Sequence, residues 1–220
     1  MSYQFRWDVI LHNWPFLLSG LEMTLLISAV ALVGSVIFGL VLAVMDLSEY
    51  RALRWIAGGI GELIRNTPIL VQLLWVYYVL PMVFDVQISA FAASVLGLTV
   101  YSSAFIAEVY RAGIQSVPIG HREAAQVLGM SRLDSFTRIV MPQAIKAILP
   151  PMAANFVQLI KYSSLASVLS VAEITRRATE LASSTFRPLE IFTFVAVVYF
   201  VICWPLAWSI RVWERRLRER

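Results

Sequence analysis

Apolar residues in this chain fall into five runs, each close to the roughly 20 helical residues needed to cross a bilayer core about 30 Å thick. Residues 25–44 carry no charge, and Gly34 and Gly39 within them allow close helix packing. The run at 69–84 is also uncharged but shorter, and it reads backward through Leu63 and Ile64. Residues 86–107 form a third uncharged run, 153–172 a fourth interrupted by Lys161, and 191–210 a fifth that Pro205 bends near its end. With their flanks, the spans are expected at about 21–45, 63–84, 86–108, 150–172 and 190–211. The pattern predicts an all-α integral membrane protein with about five transmembrane helices.

The segments between the runs differ in kind. Residues 1–20 mix Phe5, Trp7, Trp14 and Phe16 with polar residues, which suits an amphipathic piece at a membrane interface better than a disordered tail. The start has no basic-then-apolar pattern of a cleaved signal, so it is expected to be retained. Residues 109–148 are far more than a connection needs. Within them 121–129 reads as a short Ala-rich helix, and 131–140 as another that stops at Met141-Pro142. Two short helices in one loop suggest a folded docking surface; an interfacial hairpin lying on lipid is the plainer alternative.

Composition agrees with membrane residence: 59% of the 220 residues are hydrophobic and 15% charged, against about 25% charged in a soluble domain. Lys and Arg orient the chain, because they collect in short cytoplasmic segments. With the N-terminus outside, segments 46–62, 109–148 and 211–220 lie inside and hold twelve Lys and Arg, among them Arg51, Arg111, Lys146 and Arg220. The outside segments hold four: Arg6, Arg176, Arg177 and Arg187. The expected topology is N-out and C-in, with 211–220 a basic cytoplasmic tail. A formal charge of +4 then needs no nucleic-acid partner. Cys203 is the single cysteine and His12 and His121 the only histidines, too few for a metal site or a Cys–His nucleophile. A phosphate-binding P-loop needs Gly-Lys followed by Ser or Thr, and Ile precedes both lysines, Lys146 and Lys161.

Within the long loop the order is Glu123-Ala124-Ala125, three residues, Gly129, nine residues, Ile139-Val140-Met141-Pro142. This resembles the EAA motif of bacterial ABC importer permeases, with Met141 in place of the usual Leu. The flanking sequence is similar to the polar amino acid branch of that family: residues 18–25 to its opening stretch, Glu62–Leu73 to its second-span signature, Ala107–Ile114 to the end of its third span. Lys161-Tyr162-Ser163-Ser164-Leu165 stands where many relatives carry a KDTSL-like run, so Tyr162 replaces a carboxylate. The resemblance covers about residues 15–215.

It implies a type I ABC importer transmembrane fold in a multi-pass protein of the bacterial inner membrane. Such a protein is a permease subunit rather than an enzyme, translocating a polar or charged L-amino acid. Its implied partners are a second permease protomer, identical or homologous, two ATP-binding subunits that hold ATP and Mg, and an extracytoplasmic solute-binding protein. No cofactor is implied in the chain itself. Glu123, Ala124, Ala125, Gly129, Ile139 and Pro142 would dock the ATPase. The small alanines would let the partner approach, and Gly129 would permit the reversal between the two short helices.

In the spans, Thr67-Pro68 reads as N-cap and first helical residue. Glu62 and Arg65 would pair as an anchor at the inner boundary or act as a gate. Lys161 is costly near mid-membrane unless paired or hydrated, so it is expected to face a cavity. Asn155, Gln158 and Tyr162 share a helical stripe beside it, a candidate path for an amino acid. Alternatively, Lys161 pairs with an acid such as Glu108 or reaches an edge. Gln72, Tyr77, Tyr101, Ser102 and Ser103 are further candidates. A secondary transporter or channel working without an ATPase is the other reading, but no internal repeat supports it.

Overall fold

The computed structural model describes residues 4–218, with side chains to Arg216, and everything regular in it is helical. Its elements are α1 (Asp8–Asp46), α2 (Arg51–Arg65), α3 (Ile69–Phe84), α4 (Ala90–Gln115), α5 (Ile119–Val127), α6 (132–162), α7 (Ile174–Thr185) and α8 (Pro188–Arg218). A 3-10 segment, Ser163–Leu169, follows α6.

α1, α4 and α8 are each long and apolar enough to cross a bilayer, and α2 with α3 forms a bent pair that would make a fourth span. α6, expected as the fourth of five spans, is not apolar enough among the described residues. Lys146, Lys161, Gln143, Asn155 and Gln158 interrupt its apolar face.

Several expected boundaries move. α1 runs unbroken for 39 residues, about 1.5 Å each, so residues 8–20 are not a separate piece; residues 1–3 of that segment lie outside the described ones. Continuity is favoured because Ile10, Leu17 and Gly20 are buried, with Leu17 in a cluster with Ile174, Leu181 and Ile191. Leu63 and Ile64 do not continue α3 as one straight helix: they lie in the last turn of α2, and the chain turns by 105° before α3. Pro68, extended at ψ 133°, rather than Thr67, precedes the first helical residue Ile69.

α4 begins later than expected, at Ala90, where Ser89 accepts from the Ala92 amide. It also ends later, so Val109–Gln115 belong to a helix and not to the loop. α6 passes straight through Met141-Pro142, and its α-helical part stops at Tyr162 instead of 172. α8 continues to Arg218, absorbing most of the basic tail despite Pro205; Glu219 and Arg220 lie outside the described residues.

The passage through Met141-Pro142 has a local cause. A proline ring clashes with the carbonyl four residues back and removes one hydrogen bond. Phe136–Val140 form a widened π-helical turn that contains that carbonyl, on Arg138. Trp75–Val79 form the same turn two residues before Pro81. Each wide turn moves the offending carbonyl aside and lets the helix continue.

Packing centres on α1 against α4. A Cβ on Gly34 would sit 2.8 Å from Thr99, and one on Gly39 2.8 Å from Ile106, so the close packing expected of these glycines is present. Ile27, Ala31, Leu73, Leu98, Leu159 and Leu169 form the main core, joining α1, α3, α4, α6 and the 3-10 segment.

Candidate functional site

Four elements enclose a groove of about 590 Å³. α6 supplies Pro150, Pro151, Asn155, Gln158 and Lys161; α8 supplies Ala207, Arg211 and Glu214; Arg65 and Glu108 close the end nearest the long loop. Gln158 and Lys161 are exposed to this space and Asn155 is half-buried. Of the expected stripe on α6, Asn155 and Gln158 line this cavity with Lys161, while Tyr162 packs against the core instead. A second groove of about 340 Å³ continues past Lys161 along Tyr199, Phe200, Cys203 and Trp204, which places Lys161 at the junction of the two.

Lys161 makes no ion pair with an acid among the described residues, so the alternative partner Glu108 is not its partner. Glu108 is instead held by Arg111, which also reaches Asp46 at 3.7 Å and donates to Gln115 Oε1 at 2.8 Å. Arg65 pairs with Glu62 at 2.8 Å, as expected, and also donates to the Ala104 carbonyl at 3.3 Å. Gly61 lacks the Cβ that would sit 3.0 Å from Arg65 Nη1. At the exposed end of α2, the Arg65 hydrogen bond and then the Asn66 amide hold the Glu62 carboxyl below its ordinary range.

Other candidates lie apart from the groove. Gln72 is turned into the elbow, where its Nε2 donates to Ile64 O at 2.8 Å, Thr67 O at 3.2 Å and Thr67 Oγ1 at 2.6 Å. Tyr101 and Tyr162 meet edge to face, 5.6 Å between ring centroids. Tyr77 contacts Tyr78 at 4.8 Å. Ser103 donates back to Val100 O at 2.7 Å. Ser102 is buried behind the groove and donates to Asn155 Oδ1 at 2.6 Å.

Sequence reading missed Arg211 and Glu214, because they sit where the apolar run gives way to a basic tail, where Arg211 was counted only for topology and Glu214 not singled out. Their spacing, one turn apart after Ala207, was the available signal. Glu173 was missed too. It is wholly buried, caps α7 by accepting from Arg176 N at 2.7 Å, and lies 3.4 Å from both Thr24 Oγ1 and Tyr199 Oη.

The long loop forms a second, separate surface. α5 carries Glu123 and Ala124 exposed, while Ala125 is fully buried. Ala125 therefore cannot open the backbone to a partner; it lies on the inner side of α5, which packs on the Phe136–Val140 turn. Val127 and Leu128 are 88% and 78% exposed, an apolar pair at the end of α5 that none of the described residues covers. Gly129 has φ +74°, the left-handed conformation expected for a reversal. Ile139 is half-buried and Pro142 exposed on α6. Arg122 donates to Ile114 O at 2.8 Å and His121 pairs with Gln143 at 3.0 Å, which fixes α5 against its neighbours. No cluster of His, Cys, Asp or Glu among the described residues could hold a metal ion.

Comparison with known proteins follows the same lines. Residues 35–219 match the family model described as binding-protein-dependent transport system inner membrane component. The chain is 38% identical over 220 residues to the glutamine transport system permease protein GlnP of Escherichia coli (strain K12), covering 98% of this chain and 99% of that one. It is 36% identical to the probable glutamine ABC transporter permease protein GlnM of Bacillus subtilis (strain 168), covering 96% and 98%. It is also 33% identical to the arginine transport system permease protein ArtQ of the same organism, covering 93% and 94%. Among solved structures, an amino acid ABC transporter crystallised with histidines superposes with a TM-score of 0.92 at 37% identity, covering 97% and 100%. The inward-facing MetNI methionine ABC transporter, at a TM-score of 0.69 and 17% identity, shares the fold. Matched by the family model over most of its length and by relatives from end to end, the chain belongs to the binding-protein-dependent transport system inner membrane components.

Proposed function

We propose that this chain is the permease subunit of an ATP-binding-cassette importer that carries a polar L-amino acid through the groove between α6 and α8. The observation that carries the reading is Lys161, a cation without an acid partner among the described residues, at the junction of two grooves. An unpaired ammonium in a water-filled path within the membrane attracts a carboxylate. Asn155 and Gln158 on the same wall can complete its hydrogen bonds. L-Glutamine is the first substrate to test, since two relatives named for glutamine match nearly the whole chain.

The chain lies N-out and C-in, which takes five crossings: α6 adds the fifth, its polar residues lining the groove, with α2 on the cytoplasmic surface and residues 8–20 near the outer one. Two such protomers pair, and a solute-binding protein delivers the amino acid from outside. Glu123, Ala124 and the exposed Val127–Leu128 end of α5 receive a separate ATPase subunit, which supplies the ATP and Mg chemistry this chain lacks a P-loop to perform. Rigid-body movement of α5 passes to α6 through the buried Ala125 and the Phe136–Val140 turn, and α6 carries Lys161. Arg65 and Glu108 sit at the inner mouth, anchored by Glu62 and Arg111, where a gate would act.

Uptake into vesicles tests this. The permease with its ATPase subunits and binding protein should accumulate labelled L-glutamine only with ATP present. Glu123→Ala should abolish uptake while leaving the permease in the membrane, and Lys161→Ala should raise the substrate concentration needed. Accumulation without ATP would instead support a secondary transporter.

A further inference from the structure

Serines in membrane helices ordinarily fold their hydroxyl back onto a carbonyl of their own helix. In α1, α4 and α8 this holds for Ser19, Ser28, Ser35, Ser94, Ser103 and Ser209. Ser102 alone among them does not. Its Oγ crosses from α4 to α6 and donates to Asn155 Oδ1 at 2.6 Å, from a position only 3% exposed.

That bond decides which end of the Asn155 amide the groove sees. An amide carries an acceptor oxygen and a donor NH2, and the oxygen here is occupied by Ser102. Nδ2 has no partner among the described residues, and Asn155 lines the groove together with Lys161. Both groups present only N–H donors to it.

We propose that Ser102 is a positioning residue: its hydrogen bond turns the Asn155 NH2 into the groove and makes that wall select an acceptor, the α-carboxylate of an amino acid. The inference rests on the groove being the substrate path. Without Ser102 the amide is free to rotate and present Oδ1, which repels a carboxylate and accepts from a neutral carboxamide. Ser102 thereby sets discrimination between the two, beyond any effect on packing.

The test is equilibrium binding of L-glutamine and of its α-carboxamide, L-glutaminamide, to the purified permease–ATPase complex without ATP, with melting followed in parallel. Ser102→Ala should lower the carboxylate-over-amide binding ratio about tenfold, the size expected when a hydrogen bond to a charged group is lost. Ser102→Thr, which keeps the hydroxyl, should restore the ratio. Ser102→Ala combined with Asn155→Ala should be no worse than Asn155→Ala alone, since both remove one interaction. Asn155→Asp keeps the acceptor for Ser102 but places an oxygen in the groove, and should lower the ratio even if Ser102→Ala fails to fold. The positioning role is overturned if Ser102→Ala, or failing that Asn155→Asp, leaves the ratio unchanged while Asn155→Ala weakens L-glutamine binding. If Asn155→Ala and Lys161→Ala both bind L-glutamine like the parent, the groove itself is not the path.

Discussion

The Met130 amide donates to the Ala125 carbonyl at 3.0 Å, and between them Gly129 donates to Gln126 O at 3.0 Å. This pair of bonds closes α5 with a Schellman turn, which requires a left-handed residue at the position of Gly129. A Cβ there would meet nothing within 4 Å, so the demand for glycine is one of backbone conformation alone. Gly129→Ala should therefore cost about 1 kcal/mol, and a β-branched Gly129→Val more. Gly129→Asn should be tolerated, since Asn adopts this conformation readily. ATP-driven uptake should fall in the order Gly, Asn, Ala, Val; equal activity in all four would remove the turn from coupling.

Glycines in the helices make a graded set. At Gly20 a Cβ would sit 2.8 Å from Ile174 Cα and 2.9 Å from its nitrogen, backbone atoms that cannot step aside. At Gly39 it would lie 2.8 Å from Ile106 Cγ2 and 3.0 Å from the Ser103 carbonyl. At Gly58 it would meet nothing. Overpacking costs about 1–3 kcal/mol where neighbours cannot move, whereas a helical Gly→Ala in open space gains up to about 1 kcal/mol. Thermal melting should therefore place Gly20→Ala lowest, Gly39→Ala next, and Gly58→Ala at or above the parent. A flat series would contradict the packing of α1 on α4 and α7.

What the sequence could disclose divides along physical lines. Long uncharged runs report the apolar surroundings of a helix, so α1, α4 and α8 were legible as spans. The Glu123–Pro142 spacing marked the segment that forms α5, its left-handed turn at Gly129 and the start of α6. Helix ends were read less well, because Pro68, Pro142 and Pro205 look alike in a string, yet one precedes a helix and two are carried inside helices. A widened turn before Pro142 leaves no signature that a residue pattern reveals. On the site, Lys161 stood out because an isolated cation in an apolar run is costly. Glu173 did not, since a buried acid at a helix start looks like an ordinary surface cap until Thr24 and Tyr199 are seen against it. Gln72 was misplaced for a related reason: its amide satisfies a backbone elbow that sequence periodicity had smoothed into one helix.

That elbow gives a separable outcome. Gln72 Nε2 has three acceptors at 2.6–3.2 Å, two of them backbone carbonyls from the 105° turn between α2 and α3. Gln72→Leu keeps the volume but withdraws the donor from Thr67 O and leaves Ile64 O with only its longer contacts from Thr67, at 3.4–3.5 Å, a cost of about 1–3 kcal/mol. Limited proteolysis should show faster cleavage around 66–68, with no change in which amino acid the transporter prefers. A changed preference would return Gln72 to the substrate path.

Glu173 is buried, yet no cation pairs with it among the described residues. Its carboxylate is held by Arg176 N at 2.7 Å and by the Thr24 and Tyr199 hydroxyls at 3.4 Å, so it joins α1, α7 and α8 through hydrogen bonds alone. Glu173→Gln keeps an oxygen for the Arg176 amide, and both hydroxyls can accept from the new NH2. It also loses no ion pair and avoids burying a charge, so its melting temperature should stay within about 2 °C of the parent, less than a 1 kcal/mol change would move it. Glu173→Ala removes the helix cap, about 1 kcal/mol, and opens a cavity in a fully buried site, about 1–3 kcal/mol more, although Thr24 keeps Gly20 O and Ile174 N as partners and Tyr199 keeps Thr175 Oγ1. That variant should melt roughly 5–10 °C lower, at about 2–4 °C for each kcal/mol in a chain of this size. If Gln were as damaging as Ala, the negative charge itself would be what the three helices need, and an electrostatic partner for Glu173 would have to form in another state of the transport cycle.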